Sequence, residues 1–471
     1  MLERLFRLSE NRTTVRTEVI AGVTTFLTMA YIIFVQPMVL SGALFGKPTG
    51  MDFHSVTAAT CISAALATAI MAIYARYPIA QAPGMGENFF FVLSALPAAQ
   101  AAGFANAWQV ALGVVFISGL IFLILSVAGL RELIFNSVSP SLKSAIAAGI
   151  GLFIAFIGLQ NTGLILKDPG TGVKLNGHLA SPDVIVFFFG LFVTAVLHAR
   201  KVRGSILWGI VGATVLAIIF KLSLPHFSPA IAGSPEVTES ALVKRFELAK
   251  GIVAPPPSVA PTFLKLDLVH AISAPMLPFI FVFLFMLVFD AIGTLIGVCE
   301  QAEFIQENRL PRAKEAMLSD AIGTVAGAVL GTSTVTSFIE SAAGVEQGGR
   351  TGLTGLVVAA LFLLALFFSP IIAMVGSYPP ITAPALVIVG AMMIQNVTKV
   401  NWQDYSEGIP AFLTLVGIPF SFSIADGLAI GLISYPIIKL FSGKGREVGW
   451  LTYVLAVMLA GYFLFLRSRM G

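Results

Sequence analysis

The chain has 471 residues, of which 57% are apolar and 11% are charged, and its net charge is +4. Soluble domains have roughly 45–50% apolar and about 25% charged residues, so this composition excludes a soluble globular protein. Disordered chains combine low hydropathy with high net charge, which excludes that class as well. The remaining class is a multispanning membrane protein, with room for about a dozen or more apolar spans of about 20 residues. The basic residues lie in short loops between apolar runs, which indicates membrane orientation rather than nucleic-acid binding.

The start of the chain is polar and carries four arginines, and the apolar run after it lacks a small-residue cleavage site. We therefore predict a cytoplasmic N-terminus and a first span rather than a signal peptide. Counting spans alternately places the other basic loop residues in the cytoplasm, as the positive-inside rule requires. These residues are Arg76, Arg131, Arg200, Lys201, Arg203, Arg309, Arg312, Lys314, Arg350, Lys439, Lys444 and Arg446.

A polar stretch at 223–274, which includes the run Pro255-Pro256-Pro257, divides the apolar runs into two sets of seven. The runs lie at about 18–40, 55–77, 82–98, 105–128, 141–160, 182–199 and 204–222, and then at about 275–298, 314–331, 334–349, 352–376, 380–397, 408–422 and 424–441. An odd number of spans gives the two halves opposite orientations. The sequence therefore predicts an all-α polytopic membrane protein with about 14 transmembrane segments in a 7+7 inverted repeat. A further run at 448–466 either spans the membrane or lies at its surface.

The third run of each half cannot form a continuous helix. The first break, residues 78–90, contains two prolines and two glycines within nine residues. The second break, residues 331–340, is rich in β-branched and hydroxyl residues, which favour an extended strand. Such segments are tolerated at membrane depth only when they are buried in protein or line a wet cavity, so a matched pair indicates a transport site. Two ordinary proline kinks in a packed bundle are the alternative.

Carboxylates in apolar spans are informative because each costs about 2.5–3.5 kcal/mol on insertion scales. Asp290 lies deep in the eighth run, and Thr294 lies on the same helical face. We interpret Asp290 as an acceptor for substrate N–H groups, and the alternative is a structural hydrogen bond to a neighbouring helix. Asp320, in a second Asp-Ala-Ile-Gly-Thr sequence, begins nearer a cytoplasmic loop, so we predict a packing or capping role for it.

Polar and aromatic residues also follow the two breaks. Glu340 forms a capping-box pattern with Ser337, so it either closes the start of a short helix or faces the cavity to bind substrate and exchange a proton. Both roles are compatible. We interpret Glu87 as a mainly structural residue at a helix start, Asn88 as a donor and acceptor for substrate, and Phe89 as a ring that could stack on a flat substrate.

The sequence lacks the patterns of metal centres and soluble enzymes. Cys61 and Cys299 are too few for a disulfide framework or a four-ligand zinc site, and the five histidines have no metal-ligand spacing. There is no His-Glu-x-x-His, no phosphate loop and no Gly-x-Ser-x-Gly motif. We therefore expect no metal, no cofactor, no nucleic-acid partner and no direct use of ATP.

Three motifs carry a family resemblance. They are Gln-Ala-Pro-Gly-Met-Gly-Glu-Asn-Phe-Phe from residue 81, Phe-Asp-Ala-Ile-Gly-Thr from residue 289, and Gly-Thr-Ser-Thr-Val-Thr-Ser-Phe-Ile-Glu-Ser-Ala-Ala-Gly-Val from residue 331. The sequence resembles the AzgA-like adenine, guanine and hypoxanthine permeases of the nucleobase–cation symporter 2 (xanthine/uracil permease) superfamily. The resemblance covers nearly the whole chain, from the arginine-rich start to residues 423–427.

The resemblance implies a core domain and a gate domain, with short extended strands in broken spans 3 and 10. The implied segments are a cytoplasmic N-terminus at 1–17, core halves at 18–130 and 275–378, gate halves at 131–222 and 379–445, an extracytoplasmic loop at 223–274, and a C-terminal hydrophobic helix and tail at 446–471. The essential carboxylates of the family correspond to Asp290 and Glu340, and the Gly and Asn of its span-three motif correspond to Gly86 and Asn88.

The sequence departs from the family pattern in two segments. Leu287 stands where the family usually has a further acidic residue, and Gly-Glu-Asn-Phe-Phe at 86–90 replaces the usual Gly-Leu-Asn-Ala-Phe. Both departures leave the preferred base open.

The residues and the resemblance together give the hypothesis of a secondary active transporter, not an enzyme, in the cytoplasmic (inner) membrane of a bacterium. It would import adenine, guanine or hypoxanthine by proton symport and alternating access. Substrate would be bound by Asp290, Glu340, Asn88, Phe89, Gly86, Thr294 and Ser337, with Glu340 and Asp290 in proton coupling. The alternatives are a xanthine or uracil transporter, an anion carrier of the same architecture, a channel and an intramembrane enzyme. Sodium coupling and a homodimer stay open.

Overall fold

A computed structural model describes residues 2–128, 138–226, 228–229, 233–302, 304, 311–461 and 463–464. Arg131 and Arg309, which entered the prediction of membrane orientation, lie outside the described residues. Across the described residues the chain is mainly helical, with two sheets of two strands each.

The first half of the chain contains two strands that form a surface hairpin and one strand within the first break. Its elements are α1 (Leu2–Phe6), α2 (Val15–Met29), α3 (Ile32–Leu40), α4 (Phe53–Ile70), β1 (Gln81–Pro83), α5 (Met85–Phe90), α6 (Leu96–Ala101), α7 (Ala107–Ala128), α8 (Pro140–Asn161), β2 (Ile165–Asp168), β3 (Gly172–Leu175), α9 (Pro182–Ala199) and α10 (Ser205–Ser223). Short π-helical stretches, Met71–Ala75 and Phe91–Ala95, continue α4 and α5.

The second half begins with short helices in the polar stretch at 223–274 and has one strand within the second break. Its elements are α11 (Pro235–Thr238), α12 (Ala241–Lys244), α13 (Leu268–Ala271), α14 (Leu277–Gln301), α15 (Ala313–Leu330), β4 (Val335–Ser337), α16 (Ser341–Glu346), α17 (Gly352–Ala365), α18 (Ser369–Gly376), α19 (Ala383–Ile394), α20 (Tyr405–Phe420), α21 (Ile424–Phe441) and α22 (Trp450–Gly461).

Nine helical segments among the described residues are long and apolar enough to cross a membrane. They are Val15–Leu40, Phe53–Ala75, Ala107–Ala128, Pro140–Asn161, Pro182–Ala199, Ser205–His226, Leu277–Cys299, Gly352–Gly376 and Ile424–Phe441. The other predicted spans correspond to the two breaks and to α15, α19 and α20, which are shorter or more polar. The count of 14 spans therefore stays a prediction. The further run corresponds to α22, and its placement stays open.

The two breaks meet in one antiparallel sheet, in which β1 pairs with β4. The register places Gln81 opposite Ser337, Ala82 opposite Thr336, and Pro83 opposite Val335. Proline has no amide hydrogen for a ladder, but a two-stranded sheet consists of edges and so accepts it. Neither break is a continuous helix, as predicted. The sheet joins the two halves of the chain at residues more than 250 positions apart.

The long helices pack in two groups. In the first group α2, α4, α7, α14, α15 and α17 pack against one another, and α4, α14 and α15 contact the sheet. In the second group α8 packs against α19 and α20, α9 packs against α10 and α19, and α20 packs against α21. Short helix α5 contacts both α14 of the first group and α8 of the second. The first break therefore lies at the boundary between the groups.

Large apolar side chains are exposed on the outward faces of several helices. Ile124, Phe192 and Leu222 are 58%, 61% and 59% exposed. Soluble proteins rarely expose contiguous apolar surface on this scale, whereas a lipid-facing helix requires it. The protein is an integral membrane protein.

The polar stretch at 223–274 is attached to both helix groups. On one side, the Asp183 carboxylate of α9 accepts hydrogen bonds from the amides of Ala241 and Leu242 at 2.7 and 3.1 Å. On the other side, the Leu264 amide donates to the Val329 carbonyl of α15 at 2.8 Å. Between these attachments, residues 253–259 form neither helix nor strand, as the three consecutive prolines favour.

Candidate substrate site beside the broken spans

Asp290 lies on α14 and has an exposed side chain. Its side chain is exposed to solvent, yet protein surrounds it, which is the arrangement of a cavity-lining residue. Gly293, one turn further along the same face, is also exposed, and no atom lies within 4 Å of the position that a Cβ would occupy there. The sequence prediction that Asp290 lies beside a cavity is consistent with this geometry.

Glu340 lies close to Asp290 across this opening. The two carboxyl groups interact electrostatically, and α14 packs directly against α16 and β4. Ile339 is 46% exposed, and its Cδ1 lies 3.2 Å from the position of a Cβ on Gly297 of α14. The second break therefore lines the same face of α14 that carries Asp290.

The side chain of Glu340 is half-buried and has a specific partner. Its Oε1 accepts a hydrogen bond of 2.7 Å from the Tyr31 hydroxyl. Helix α16 begins at Ser341 with Glu340 as its N-cap residue, and no side chain caps it. The capping-box alternative is therefore wrong, because the Ser337 hydroxyl donates to Asp320 instead, at 2.9 Å. Ser337 and Glu340 therefore do not cap the helix together. Ser337 bonds to Asp320 of α15, and Glu340 bonds to Tyr31.

Asn88 is fully buried within a polar cluster between the two breaks. Its Oδ1 accepts a hydrogen bond from the Ser333 hydroxyl, whereas its Nδ2 donates to no protein group among the described residues. Gln36 of α3 joins the cluster through a bond of 2.8 Å from its Nε2 to the Thr332 hydroxyl. The sequence reading did not identify Gln36, although a lone amide within an apolar run was the available signal.

The remaining predicted binding residues lie nearby with different surroundings. A Cβ on Gly86 would lie 3.3 Å from Ile150 of α8 and 3.5 Å from Met286 of α14, so this glycine is placed between the two helix groups. Phe89 is fully buried and meets the Phe45 ring edge-on, with centroids 6.1 Å apart. Thr294 is 8% exposed. The stacking role of Phe89 stays a prediction.

Glu87 is almost buried, and its carboxylate folds back over the end of β1. Its Oε2 lies 2.4 Å from the position that a Cβ on Gly84 would occupy, so a larger residue there would require the Glu87 side chain to move. The same position lies 3.1 Å from the Thr336 methyl group. Glu87 also interacts electrostatically with Asp290. The residue is therefore part of the acidic surroundings of Asp290 as well as of the helix start.

Asp320 is fully buried and ties α15 to both strands. Its Oδ1 accepts hydrogen bonds from the Ser337 hydroxyl at 2.9 Å and from Nε2 of the Gln81 side chain. This arrangement agrees with the predicted packing role. Ser337, which the sequence assigned to substrate, here directs its hydroxyl to Asp320.

The described residues contain no group of three or more His, Cys, Asp and Glu side chains that could hold a metal ion. Cys61 and Cys299 are buried free thiols. The carboxyl, amide, phenol and hydroxyl groups at this site can form hydrogen bonds, and the carboxyl groups can exchange protons.

Comparison with known proteins places the chain in a family. A model of the permease family, the xanthine/uracil permeases, matches residues 16–430. The chain is 42% identical to the guanine/hypoxanthine permease PbuG of Bacillus subtilis, over 99% of this chain and 100% of that protein. It is 40% identical to the adenine permease AdeP of Escherichia coli, over 100% of this chain and 97% of that protein.

A solved structure shows the same fold at low sequence identity. The transmembrane domain of the cyanobacterial bicarbonate transporter BicA superposes with a TM-score of 0.61, over 88% of this chain and 97% of that chain, at 15% identity. The match supports the polytopic helical fold with its two broken spans, and it carries no information about substrate. The family match and the full-length relatives show that this chain belongs to the xanthine/uracil permease family.

Proposed function

We propose that this permease imports purine nucleobases by proton symport. The observation that carries the proposal is the accessible carboxyl of Asp290, which interacts with Glu340 beside two broken spans. A purine presents N–H donors and ring-nitrogen acceptors along its edge, and carboxylates are strong acceptors for such N–H groups. The names of two full-length relatives, a guanine/hypoxanthine permease and an adenine permease, support this substrate class.

Each residue has a role in this proposal. Asp290 accepts N–H groups of the base, and the Asn88 amide donates to a ring acceptor. Glu340 accepts a second N–H group and carries the coupling proton. Phe89 stacks on the base, and Gly86 lets the base approach the backbone. Thr294 and Ser337 complete the polar wall of the site.

Alternating access would come from movement of the two helix groups relative to each other, because the first break lies at their boundary. The core domain would comprise 18–130 and 275–378, and the gate domain would comprise 131–222 and 379–445. The N-terminus would face the cytoplasm, and the membrane would be the inner membrane of a bacterium.

The test is uptake by the purified full-length protein in proteoliposomes. Radiolabelled adenine, guanine, hypoxanthine, xanthine and uracil are compared with and without an inward proton gradient. We expect saturable accumulation of at least one purine that requires the gradient. Uptake that is independent of the gradient would reject proton symport but not transport, whereas uracil as the best substrate would reject purine specificity. Flux that grows linearly without saturation would indicate a channel.

A matched pair of variants tests the proton role of Glu340. Glu340→Gln removes the titratable group while preserving size, and it should abolish gradient-driven accumulation. Glu346→Gln makes the same change on the same short helix, at an exposed position, and should leave accumulation unchanged. Full accumulation by Glu340→Gln would disprove the assigned role.

A further inference from the structure

The first span is interrupted at the level of the second break. Helix α2 ends at Met29 and α3 begins at Ile32, with Ala30 and Tyr31 forming a turn between them. Pro37 lies within α3 and has no amide to donate to the Ile33 carbonyl. The turn directs the Tyr31 side chain inwards, where it is only 2% exposed.

The Tyr31 hydroxyl donates to Glu340 Oε1 at 2.7 Å, as described above. Within the described residues, the titratable groups facing Glu340 are Tyr31 from the first span and Asp290 from α14. Helix α2 meets α16 through Thr25 and Ala21 beside Gly344, and these residues carry no charge. Among the residues that the structure describes, no ion pair joins Glu340 to a basic side chain. The Tyr31 phenol is the side chain that donates a hydrogen bond to this carboxylate.

We propose that Tyr31 is a positioning residue for Glu340, which holds its carboxylate towards the cavity and promotes release of the coupling proton. The inference rests on the proposed function, in which Glu340 takes up and releases a proton in each cycle. A hydrogen bond to a carboxylate stabilises the charged form, and it also fixes which oxygen remains free for a ligand. Loss of the phenol should therefore retard proton release more than it affects base exchange.

The test compares two tyrosine variants that lose the same type of bond. Tyr31→Phe removes the phenol beside Glu340, and Tyr378→Phe removes a hydroxyl that donates to Asp183 at 2.7 Å, on the outer side of the protein. In proteoliposomes we expect Tyr31→Phe to lower net gradient-driven uptake about tenfold, since a hydrogen bond to a charged group is worth at least the free energy of a tenfold rate change. Exchange of external for internal base, which requires no proton release, should be retained.

The dependence of uptake on pH gives a second readout. A carboxyl group that has lost its hydrogen-bond donor retains its proton to higher pH. The decline of uptake on the alkaline side of the pH curve should therefore move to higher pH in Tyr31→Phe. Tyr378→Phe should keep the limb of the wild type. A variant that folds poorly would lose exchange as well as net uptake, and its thermal midpoint in detergent would be lower than that of the wild type.

Infrared difference spectra test the inference without any substrate. The carboxyl C=O band of Glu340 is assigned by its absence in Glu340→Gln and is followed during a pH titration of wild type, Tyr31→Phe and Tyr378→Phe. We expect the band to persist to higher pH in Tyr31→Phe alone. An unchanged titration in Tyr31→Phe would overturn the inference even if purine uptake is confirmed. Absence of purine uptake by the wild type would reject the proposed function, and the spectra would still decide the relationship between Tyr31 and Glu340.

Discussion

Thr68 and Thr324 hold equivalent positions in the two halves of the chain. The Thr68 hydroxyl of α4 accepts a hydrogen bond from the backbone amide of Gln81 at 2.8 Å and donates one to the backbone carbonyl of Gln81 at 3.0 Å. The Thr324 hydroxyl of α15 accepts from the Val335 amide at 3.3 Å and donates to the Val335 carbonyl at 2.8 Å. A two-fold rotation about the centre of the antiparallel pair exchanges Gln81 and Val335, so the two hydroxyl contacts follow the symmetry of an inverted repeat.

These contacts solve a problem that a two-stranded sheet has inside a membrane protein. Each strand has an outer edge whose amide and carbonyl groups lack a neighbouring strand. Such groups are costly where no water is present. One hydroxyl on a flanking helix satisfies both groups of one residue, which explains how three-residue strands remain ordered at this depth.

The first prediction concerns Thr68→Val, which preserves the shape of the side chain and removes its hydroxyl. The amide and carbonyl of Gln81 then lose their partner, at a cost of about 1–3 kcal/mol for buried unpaired groups. We expect a lower thermal midpoint in detergent and weaker base binding, because β1 lies within the first break and leads directly into α5. Thr60→Val is the matched control, since the Thr60 hydroxyl on the same helix bonds only to the Val56 carbonyl of its own helix. Equal midpoints for the two variants would contradict the role of Thr68.

The positions of the breaks could be predicted from sequence because their cause is local. Prolines and glycines at 78–86 prevent a helix, and the hydroxyl-rich run at 331–337 favours a strand. Asp290 and Glu340 could be singled out because a charge within an apolar run is rare and costly. The register of β1 with β4 could not be predicted, since it depends on residues from opposite halves of the chain.

Partners of the site residues were missed where the sequence carries no local signal. A tyrosine in an aromatic-rich apolar run does not reveal that its hydroxyl reaches Glu340. The capping-box pattern at Ser337 and Glu340 was misleading, because the spacing is local whereas the actual acceptor of the Ser337 hydroxyl, Asp320, lies on another helix. Leu287 is fully buried in the core, so the departure from the family pattern at this position is accommodated by packing.

The second prediction separates two aspartates that share the sequence Asp-Ala-Ile-Gly-Thr. Asp290→Asn changes an accessible side chain, so we expect normal stability and a rise of about tenfold or more in the KM for the base, as lost hydrogen bonds to a charged group imply. Asp320→Ala leaves the side-chain amide of Gln81 and the Ser337 hydroxyl without their acceptor. It should mainly lower the thermal midpoint. Loss of stability in Asp290→Asn together with loss of affinity in Asp320→Ala would contradict this prediction. It would show that Asp320 binds the base and that Asp290 is structural.

The third prediction concerns Glu18, a fully buried carboxylate of α2 at the start of α17. It accepts hydrogen bonds from the amides of Arg350, Thr351 and Thr354 at 2.9, 3.3 and 3.2 Å, and from the Thr354 hydroxyl at 2.6 Å. A negative charge at a helix N-terminus is favourable, and these bonds satisfy amides that the helix itself leaves unpaired.

Glu18→Gln should therefore destabilise the protein by about 1–3 kcal/mol, because the new amide group directs N–H donors towards other donors. The measurement is the thermal midpoint in detergent, with Glu10→Gln as an exposed control. Because Glu18 lies away from Asp290, the surviving folded protein should bind base with unchanged affinity. A changed KM with an unchanged midpoint would show that Glu18 takes part in transport rather than in helix packing.

The fourth prediction concerns the pH dependence of stability near the start of α20 and the end of α21. The Lys444 ammonium donates to Asp404 at 2.7 Å, and this bond, together with hydrogen bonds from Ser406, holds the pKa of the Asp404 carboxyl below its usual value. A carboxyl whose pKa is lowered in the folded state stabilises that state above its unfolded pKa of about 3.9, and the contribution disappears as pH falls through the folded value.

Lys444→Ala should thus lower the thermal midpoint at neutral pH, and the difference from wild type should narrow progressively as the pH falls below about 3.9. Lys399→Ala, at an exposed position on a neighbouring turn, should show no such convergence. A difference between Lys444→Ala and wild type that stays constant down to the lowest pH at which the protein remains folded would show that Lys444 acts through packing and not through its bond to Asp404.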